Sequence, residues 1–184
     1  MSRPILFAVL SFLCTATPAF AVSWSLGTQF GLASITSDQG GAGKSSVVAW
    51  PASAITYQPG LRVAAGNARH TRDVTLDSGL FLLDEAGSTL SLFTASLAYQ
   101  HVVMPEWSWS PFGNIGLGTY REDSESRTFS SQKWGAGVGV RHAARDGHGA
   151  LRVEVRYDYI NRDSGSGRPA LNIVGLQFGF DLWL

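Results

Sequence analysis

The sequence has no long apolar run beyond its first 21 residues, very little cysteine and no surplus of positive charge. Past residue 21 there is no apolar stretch of about 18 residues or more, which excludes transmembrane helices of ordinary length. The single cysteine, Cys14, lies within those first residues, so residues 22–184 can form no disulfide bond. The 14 basic and 14 acidic side chains balance, so no excess charge attracts the phosphates of a nucleic acid.

The first 21 residues have the three-part layout of a secretory signal peptide. Arg3 gives a basic start, residues 5–13 are apolar, and Ala19-Phe20-Ala21 fits a small-x-small cleavage site. The apolar run is too short to cross a bilayer as a helix, which disfavours the alternative of an uncleaved anchor. We therefore expect export, and cleavage after Ala21 that leaves residues 22–184 as one domain.

Residues 22–184 alternate between apolar side chains and small or polar ones, which is the pattern of β-strands with one apolar face. The last strand is the clearest: Val174, Leu176, Phe178, Phe180, Leu182 and Leu184 alternate with Gly175, Gln177, Gly179 and Asp181. In residues 151–159 the apolar positions alternate with Arg152, Glu154, Arg156 and Asp158. Residues 133–141 alternate apolar side chains with a lysine, three glycines and Arg141.

Five earlier segments complete a predicted set of eight strands: residues 22–34, 46–57, 61–71, 89–102 and 111–121. Pro51 interrupts the second of these. Short connections are predicted near 58–60, 103–108 and 145–149, and longer polar ones near 35–45, 72–88, 121–131 and 161–169. Leucine-rich residues 80–83 are too apolar for a fully wet loop, so 73–88 could form a hairpin or cover the barrel mouth. Short periplasmic turns alternating with longer external loops are typical of bacterial outer-membrane barrels.

Alternation alone does not decide which face of the sheet meets solvent. A soluble barrel would turn Val153 and Val155 inward and leave the charged residues in water. Glycines concentrate on the polar face, where they would leave room for Arg and Glu side chains in the narrow interior of an eight-stranded barrel. Aromatic residues recur near the apolar strand ends, as in the girdles of membrane barrels: Trp24, Tyr99, Trp134, Tyr157 and Tyr159. The sequence thus predicts an all-β, eight-stranded antiparallel up-and-down transmembrane β-barrel, with a soluble secreted barrel as the alternative.

Three segments carry a resemblance to a known family: SPFGNIGLG at 110–118, WGAGVGVR at 134–141 and LRVEVRYDY at 151–159. They resemble the small, porin-like outer-membrane β-barrel proteins, and the resemblance extends over nearly all of residues 22–184. The motifs are architectural and imply a barrel position, not an activity. The resemblance also implies that the barrel-assembly machinery reads the end of the chain through Phe178, Phe180, Leu182 and Leu184, although Leu184 stands where the family has a terminal phenylalanine.

The most distinctive polar set is predicted to point into the lumen: Arg141, Arg152, Glu154, Arg156, Asp158 and Asp181. Buried charges need partners, so we expect a network that fills the interior and compensates itself. The alternative is a narrow pore in which these charges set ion selectivity. Eight strands leave little open bore, which disfavours conduction.

No segment predicts a catalytic site, a cofactor or a metal site. The lipid A deacylases carry a His-x-Ser pair in a region that here reads YDYIN at 157–161, with neither residue. His101 and His142 lie near periplasmic strand ends and His148 lies in a turn, which leaves His70, with Asp73 beyond it, as the one histidine placed near the outer surface. We expect an ordinary surface histidine there, since a nucleophile–base pair requires hydrogen-bond geometry. The histidine spacings do not suit zinc, and GGAGKS at 40–45 departs from a phosphate loop and is expected to be an external loop.

The expected function is a structural or surface-interaction role in the cell envelope, with localisation in the outer membrane. The alternatives are a narrow channel for small solutes and a lipid A-modifying enzyme. The expected partners are outer-membrane lipids, lipopolysaccharide and the barrel-assembly machinery, with no nucleic acid.

Overall fold

The computed structural model describes residues 22–37, 45–47, 60–85, 88–124, 127–161 and 170–184. The predicted leader at 1–21, nearly all of the predicted strand at 46–57 and the phosphate-loop-like residues 40–44 lie outside this part of the chain, as do residues 162–169 of the predicted last loop. The described residues form strands and turns, and they contain no helix long and apolar enough to cross a membrane.

Nine antiparallel strands make up a single sheet that closes on itself. They are β1 Val22–Ser37, β2 Ser45–Val47, β3 Gly60–Asn67, β4 Arg72–Glu85, β5 Ser88–Val102, β6 Ser110–Ser124, β7 Arg127–Ala143, β8 Gly149–Ile160 and β9 Leu171–Trp183. Pairing of β1 with β9 closes the wall, and the short β2 pairs with the last residues of β1 beyond the reach of β3. The other eight strands form the barrel, so the predicted eight-stranded antiparallel barrel is confirmed.

The pairing register fixes the width of the barrel. Directly opposite partners lead around the wall from Ser25 through Ala64, Thr75, Ala98, Gly116, Gly135, Asp158 and Ile173, and back to β1 at Ile35. The path returns ten residues further along β1, and for eight strands this stagger implies a tilt of about 40°. A barrel of this size has an interior that side chains fill.

The two ends of the barrel differ in their connections. One end, called here the termini end, holds Val22 and Leu184 together with the turns at 68–71, 103–109 and 144–148. The other, called here the far end, holds the opposite ends of the strands, at Ser37, Glu85, Ser88, Ser124, Arg127, Ile160 and Leu171. Two of the predicted short turns, near 103–108 and 145–149, lie at the termini end as expected.

The predicted layout was wrong between residues 58 and 88. The first short turn lies at 68–71 and not at 58–60, because Gly60 already begins β3. The predicted external loop at 72–88 is largely β4, which pairs with β5 from Arg72 to Glu85 as one long hairpin, so of the two alternatives for 73–88 the structure agrees with the hairpin. Asp73, Thr75 and Asp77 alternate with apolar residues in this segment, but the apolar run at 80–83 obscures the alternation in the sequence.

The predicted loop at 121–131 was also largely wrong. Strand β6 continues to Ser124 and β7 begins at Arg127, so only residues 125–126 connect them. Apart from Tyr120 and Phe129, residues 119–131 are all polar, so no continuous apolar face marks the segment as a strand.

Apolar side chains cover the outside of the barrel and polar ones lie inside. Leu117 is 71% exposed and Val155 is 52% exposed, whereas Arg152 and Glu154 on the same sheet are each 2% exposed. The outward row includes Leu26, Leu61, Leu76, Leu97, Ile115, Val138, Val174 and Leu182. This arrangement inverts that of a soluble barrel, as the sequence predicted.

Candidate functional site

The charged side chains of β8 form the centre of a network in the lumen. Arg156 Nε donates to both carboxylate oxygens of Asp158, at 2.9 and 3.1 Å, while Arg156 Nη1 donates to Asn114 Oδ1 on β6 at 2.9 Å. The same guanidinium lies 3.5 Å from Glu154 Oε1. Strand alternation places residues 154, 156 and 158 on one face of β8, and their burial shows that this face points into the barrel.

Arg152 extends the network toward the termini end. Its Nε donates to Asp181 Oδ2 on β9 at 2.7 Å, and its Nη1 lies 3.6 Å from Glu154 Oε2. Asp181 also faces Arg62 on β3, with 3.6 Å between Oδ1 and Nε. Arginines from two strands, β8 and β3, therefore share this one carboxylate of β9.

Arg62 carries the network across the lumen to β4 and β5. Its Nη2 donates to Gln100 Oε1 at 2.8 Å, and its Nη1 lies 3.5 Å from Asp77 Oδ1. Thr75 Oγ1 donates to Asp77 Oδ2 at 3.1 Å. The sequence does not single out Arg62, Asp77 and Gln100, because the three lie far apart in the chain and residues 72–88 are predicted there as a loop.

The network compensates its own charge. Four cationic side chains, Arg62, Lys133, Arg152 and Arg156, meet four carboxylates, Asp77, Glu154, Asp158 and Asp181. Each ion pair in this set joins side chains that are almost entirely shielded from water, with Lys133 the most accessible. Buried charges are stable only when paired, so the equal numbers account for the presence of so many ions in a narrow lumen.

Glycines on neighbouring strands make space for the charged side chains. Gly27 lies directly opposite Asp181, and Gly135 lies opposite Asp158. A Cβ atom at Gly27 or Gly135 would collide with the facing carboxylate, and one at Gly179 would lie 2.6 Å from Arg152 Nη2. The predicted role of the lumen glycines, which is to leave room for ionic side chains, agrees with this geometry.

Of the six predicted lumen residues, five belong to this network and Arg141 lies apart from it. Arg141 is buried at the termini end, where Nη1 donates to the carbonyl oxygen of His70 at 2.5 Å and the guanidinium lies 5.4 Å from the ring centre of Trp183. Arg141 thus binds a turn to the last strand and does not join the ion pairs of Arg152 and Arg156.

The position predicted for His70 was wrong. It lies in the turn at 68–71, at the termini end and not at the end opposite the termini as predicted, and it is 1% exposed. Its Nδ1 lies 3.0 Å from Asp73 Oδ1 and its Nε2 lies 2.9 Å from Ser23 Oγ. The error has the same cause as the wrong position of the first turn, which was predicted at 58–60 and lies at 68–71. Because the chain direction between these turns was predicted in reverse, residue 70 was assigned to the opposite end of the barrel.

An apolar cluster occupies the lumen near the far end. Tyr120, Phe129 and Ile160 are buried there, and Leu171 and Ile173 pack against them. The rings of Tyr120 and Phe129 meet edge to face, with 6.0 Å between their centres. Within the described residues, the lumen is thus apolar near the far end and ionic along most of its length.

Beyond that cluster the β6–β7 hairpin carries an exposed ion pair. Arg121 Nε donates to Asp123 Oδ2 at 2.7 Å, and both side chains are accessible to solvent. Hydrogen bonds from Arg121 and then Thr128 lower the pKa of the Asp123 carboxyl below its ordinary value.

The predicted assembly signal lies on the outer face of β9. Phe180 and Leu182 are exposed and Phe178 is half-buried, where it stacks on Phe30 with 5.5 Å between ring centres. Leu184 follows β9 and is also exposed. In the part of the chain that the structure describes, no three His, Cys, Asp or Glu side chains group closely enough to hold a metal ion.

A closed wall of eight tilted strands, apolar outside and ionic inside, defines a small β-barrel of the outer-membrane type. The structure is similar to that of Neisserial surface protein A (NspA), with a TM-score of 0.63 and 15% identity over 88% of this chain and 98% of that one. It is also similar to Ail, the attachment invasion locus protein of Yersinia pestis, with a TM-score of 0.52 and 13% identity over 89% of this chain and 97% of that one. No protein-family model and no curated protein sequence matches the chain.

Proposed function

We propose that this chain is an integral protein of a bacterial outer membrane, exported by the leader at 1–21, with a structural or surface-contact role in the cell envelope. The observation that supports this most directly is the inverted barrel, in which exposed Val155 lies between the buried, mutually paired ions Glu154 and Arg156. A closed barrel pairs every strand edge, which is the condition for strands to reside in hydrocarbon.

The outward faces of β6 and β7 support a position for the membrane boundary. Leu117 lies opposite Trp134, and both are exposed and apolar; two residues further along, Thr119 lies opposite Gln132, and both are exposed and polar. Tryptophan is typical of the interface between hydrocarbon and water. We therefore place the outer boundary near Trp134, with the hairpin beyond it in water.

That hairpin is the main candidate for surface contact. Beyond the boundary, β6 and β7 remain paired as far as Ser124 and Arg127, so the hairpin is an ordered ladder and not a loose loop. Exposed Thr128 and Ser130 and the Arg121–Asp123 pair give its described part a polar surface. The two similar structures are named a surface protein and an attachment protein, and at 13–15% identity they support this role only as a class.

A narrow channel is the weaker alternative. Buried side chains fill the lumen along its length: Arg152, Glu154 and Arg156 form ion pairs there, and Tyr120 and Phe129 occupy it near the far end. We expect planar-bilayer recordings of the refolded protein to show no steady conductance, and regular conductance steps would favour the channel. A lipid A-modifying role predicts a changed lipid A profile by mass spectrometry when the gene is deleted, and we expect no change.

The proposed partners follow from the location. Outer-membrane lipids and lipopolysaccharide would contact the apolar wall, and the barrel-assembly machinery would read Phe178, Phe180, Leu182 and Leu184 on the outer face of β9. Nothing in the charge balance favours a nucleic acid.

Cysteine labelling in cells tests both the location and the orientation. Cys14 is the only cysteine and lies in the leader, so the exported chain offers a background free of thiols. We expect Ser130→Cys, in the β6–β7 hairpin, to react with a membrane-impermeant maleimide on intact cells. The matched variant Asp146→Cys, in an exposed turn at the termini end, should react only after the outer membrane is permeabilised. Labelling of Asp146→Cys on intact cells, or recovery of the protein in the soluble periplasmic fraction, would contradict the proposal.

A further inference from the structure

Ser23, His70 and Asp73 form a hydrogen-bonded series at the termini end that the envelope role does not require. Ser23 Oγ lies 2.9 Å from His70 Nε2, and His70 Nδ1 lies 3.0 Å from Asp73 Oδ1. The hydroxyl comes from the start of β1, whereas the imidazole and the carboxylate come from the turn at 68–71 and the start of β4. A hydroxyl, an imidazole and a carboxylate in this order have the geometry of a nucleophile, its base and the group that orients the base.

The protonation of the series follows from its chemistry. An ionised carboxylate can only accept hydrogen bonds, so the proton of a neutral His70 ring must lie on Nδ1, facing Asp73. Nε2 then carries a lone pair, and the bond to Ser23 must be donated by the serine hydroxyl. This is the tautomer in which a histidine can take the proton of a serine.

The imidazole of His70 is held by several independent contacts. Its ring stacks on Trp183 with 5.2 Å between centres, and its carbonyl oxygen accepts a hydrogen bond from Arg141. Its backbone has φ of +49°, in the left-handed region that non-glycine residues rarely adopt. Strained backbone held in place by its surroundings is found at functional sites more often than elsewhere.

A catalytic nucleophile must be accessible to substrate, while its base and the group that orients the base can be buried; the three side chains of this series follow that order. His70 and Asp73 are buried, whereas Ser23 is half-buried and lies near the start of β1, at the termini end. Gly66 is part of this arrangement, since a Cβ atom there would collide with the Asp73 carboxylate. The potential nucleophile is therefore the most accessible of the three groups.

We propose that Ser23 and His70 form an ester-cleaving site at the termini end of the barrel, with Asp73 as the positioning residue. Ser23 Oγ attacks the carbonyl carbon of a carboxylic ester as its proton passes to His70 Nε2. The bond from that carbon to the alcohol oxygen then breaks, and His70 returns the proton to the departing alcohol, which leaves an acyl-serine. A water molecule, deprotonated by His70, attacks the acyl carbon, and the carboxylic acid leaves as Ser23 regains its proton.

The site lies at the opposite end from the β6–β7 hairpin, so its substrate differs from the outer-surface lipid A considered above. It goes beyond the proposed envelope role, and the two can succeed or fail separately. In the alternative role, the hydrogen bond of Ser23 only holds the turn at 68–71 against β1. That structural role requires the hydrogen bonds but not a reactive serine hydroxyl.

Labelling with a fluorophosphonate probe distinguishes the two roles. We expect the barrel, refolded in lipid vesicles, to react with the probe at Ser23, identified by peptide mass spectrometry, and to lose this labelling when unfolded. Ser23→Ala should abolish labelling, whereas Ser25→Ala, two residues along the same inner face, should leave it unchanged. Heat-modifiable gel mobility of each variant shows that the barrel has closed.

Turnover of a p-nitrophenyl short-chain ester tests Asp73. We expect Asp73→Asn to lower kcat by about 10²-fold or more with little change in KM. The imidazole of His70 loses the partner that fixes its orientation and tautomer, whereas the surface that binds the substrate is unchanged. The labelling of the unaltered protein decides the proposal even where a variant fails to fold. No labelling of Ser23 in the closed barrel, or equal labelling after unfolding, would overturn it.

Discussion

Arg152 and Asp181 form the shortest ion pair of the lumen, with 2.7 Å between Nε and Oδ2, and both side chains are almost fully buried. Asp181 also faces Arg62, so one carboxylate on β9 balances two guanidinium groups. One of them is on β8, next to β9, and the other is on β3, on the far side of β1. The contact between Asp181 and Arg62 spans β1, the strand whose pairing with β9 closes the barrel.

Asp181→Asn is expected to destabilise the barrel by about 3–5 kcal/mol, since it removes one of the carboxylates that Arg152 and Arg62 face and leaves the buried network with an uncompensated positive charge. The free energy of unfolding is measured by urea titration in lipid vesicles. Glu106→Gln, in an exposed turn at the same end, is the control and should change the stability little. Equal stabilities of the two variants would show that Asp181 is not paired in the membrane.

Gly139→Ala is expected to destabilise the barrel by about 1–3 kcal/mol through overpacking. A Cβ atom at this position would lie 2.8 Å from the ring of Phe112 and 2.9 Å from Glu154 Cα, and it would also collide with the carbonyl oxygen of Val153. Gly113→Ala is the matched control, because the nearest atom to its Cβ would be 3.8 Å away. The two variants are compared in the same urea titration, and the packing argument fails if Gly113→Ala proves the more harmful.

Val155→Arg is expected to destabilise the barrel by about 2–4 kcal/mol if Val155 faces the middle of the bilayer. Thr128→Arg places the same side chain on the polar hairpin and should have an effect near zero. Refolding titrations in lipid measure both. A small effect at Val155 would mean that its face does not contact hydrocarbon.

Asp123 should titrate below the ordinary range of an aspartate, because Arg121 and Thr128 hydrogen-bond to its ionised form. A lowered pKa in the folded state gives stability that is present above the ordinary pKa and is lost as the pH falls through the folded pKa. Carbon-13 NMR of the carboxyl should show the pKa rise toward its ordinary value in Arg121→Gln. It should also rise with added salt, which screens an exposed pair. An unchanged titration in Arg121→Gln would exclude Arg121 as the cause.

Much of the lumen could be predicted because strand alternation has a period of two residues. Once β8 was identified, Arg152, Glu154, Arg156 and Asp158 had to share one face, and the glycines of β7 indicated that this face points inward. The partner of each ion could not be predicted, since partners across the sheet depend on a register that the sequence of one strand does not specify.

The loop predicted at 121–131 is a separate error, whereas the errors at residues 58–88 and at His70 have one origin, which is that strand β4 was not predicted. Its apolar run at 80–83 breaks the alternation that begins at Asp73, so Asp77 was not recognised as a partner of Arg62. The same omission placed His70 at the wrong end and so hid its proximity to Ser23. These two residues are 47 positions apart in the chain, and only the pairing of β1 with β3 brings them together.

Leu97 and Ala98 provide the most direct test of the inverted barrel, because these neighbours on β5 face opposite sides of the wall: Leu97 is 57% exposed and Ala98 is 4% exposed. The measurement is electron paramagnetic resonance of a spin label at Leu97→Cys in lipid vesicles, with Ala98→Cys as the comparison. We predict that oxygen, which dissolves in hydrocarbon, relaxes the label at position 97 far more than a water-soluble nickel complex does, and that the label at position 98 is shielded or immobilised. Stronger relaxation by the nickel complex at position 97 would contradict the account, because the leucine face would then lie in water.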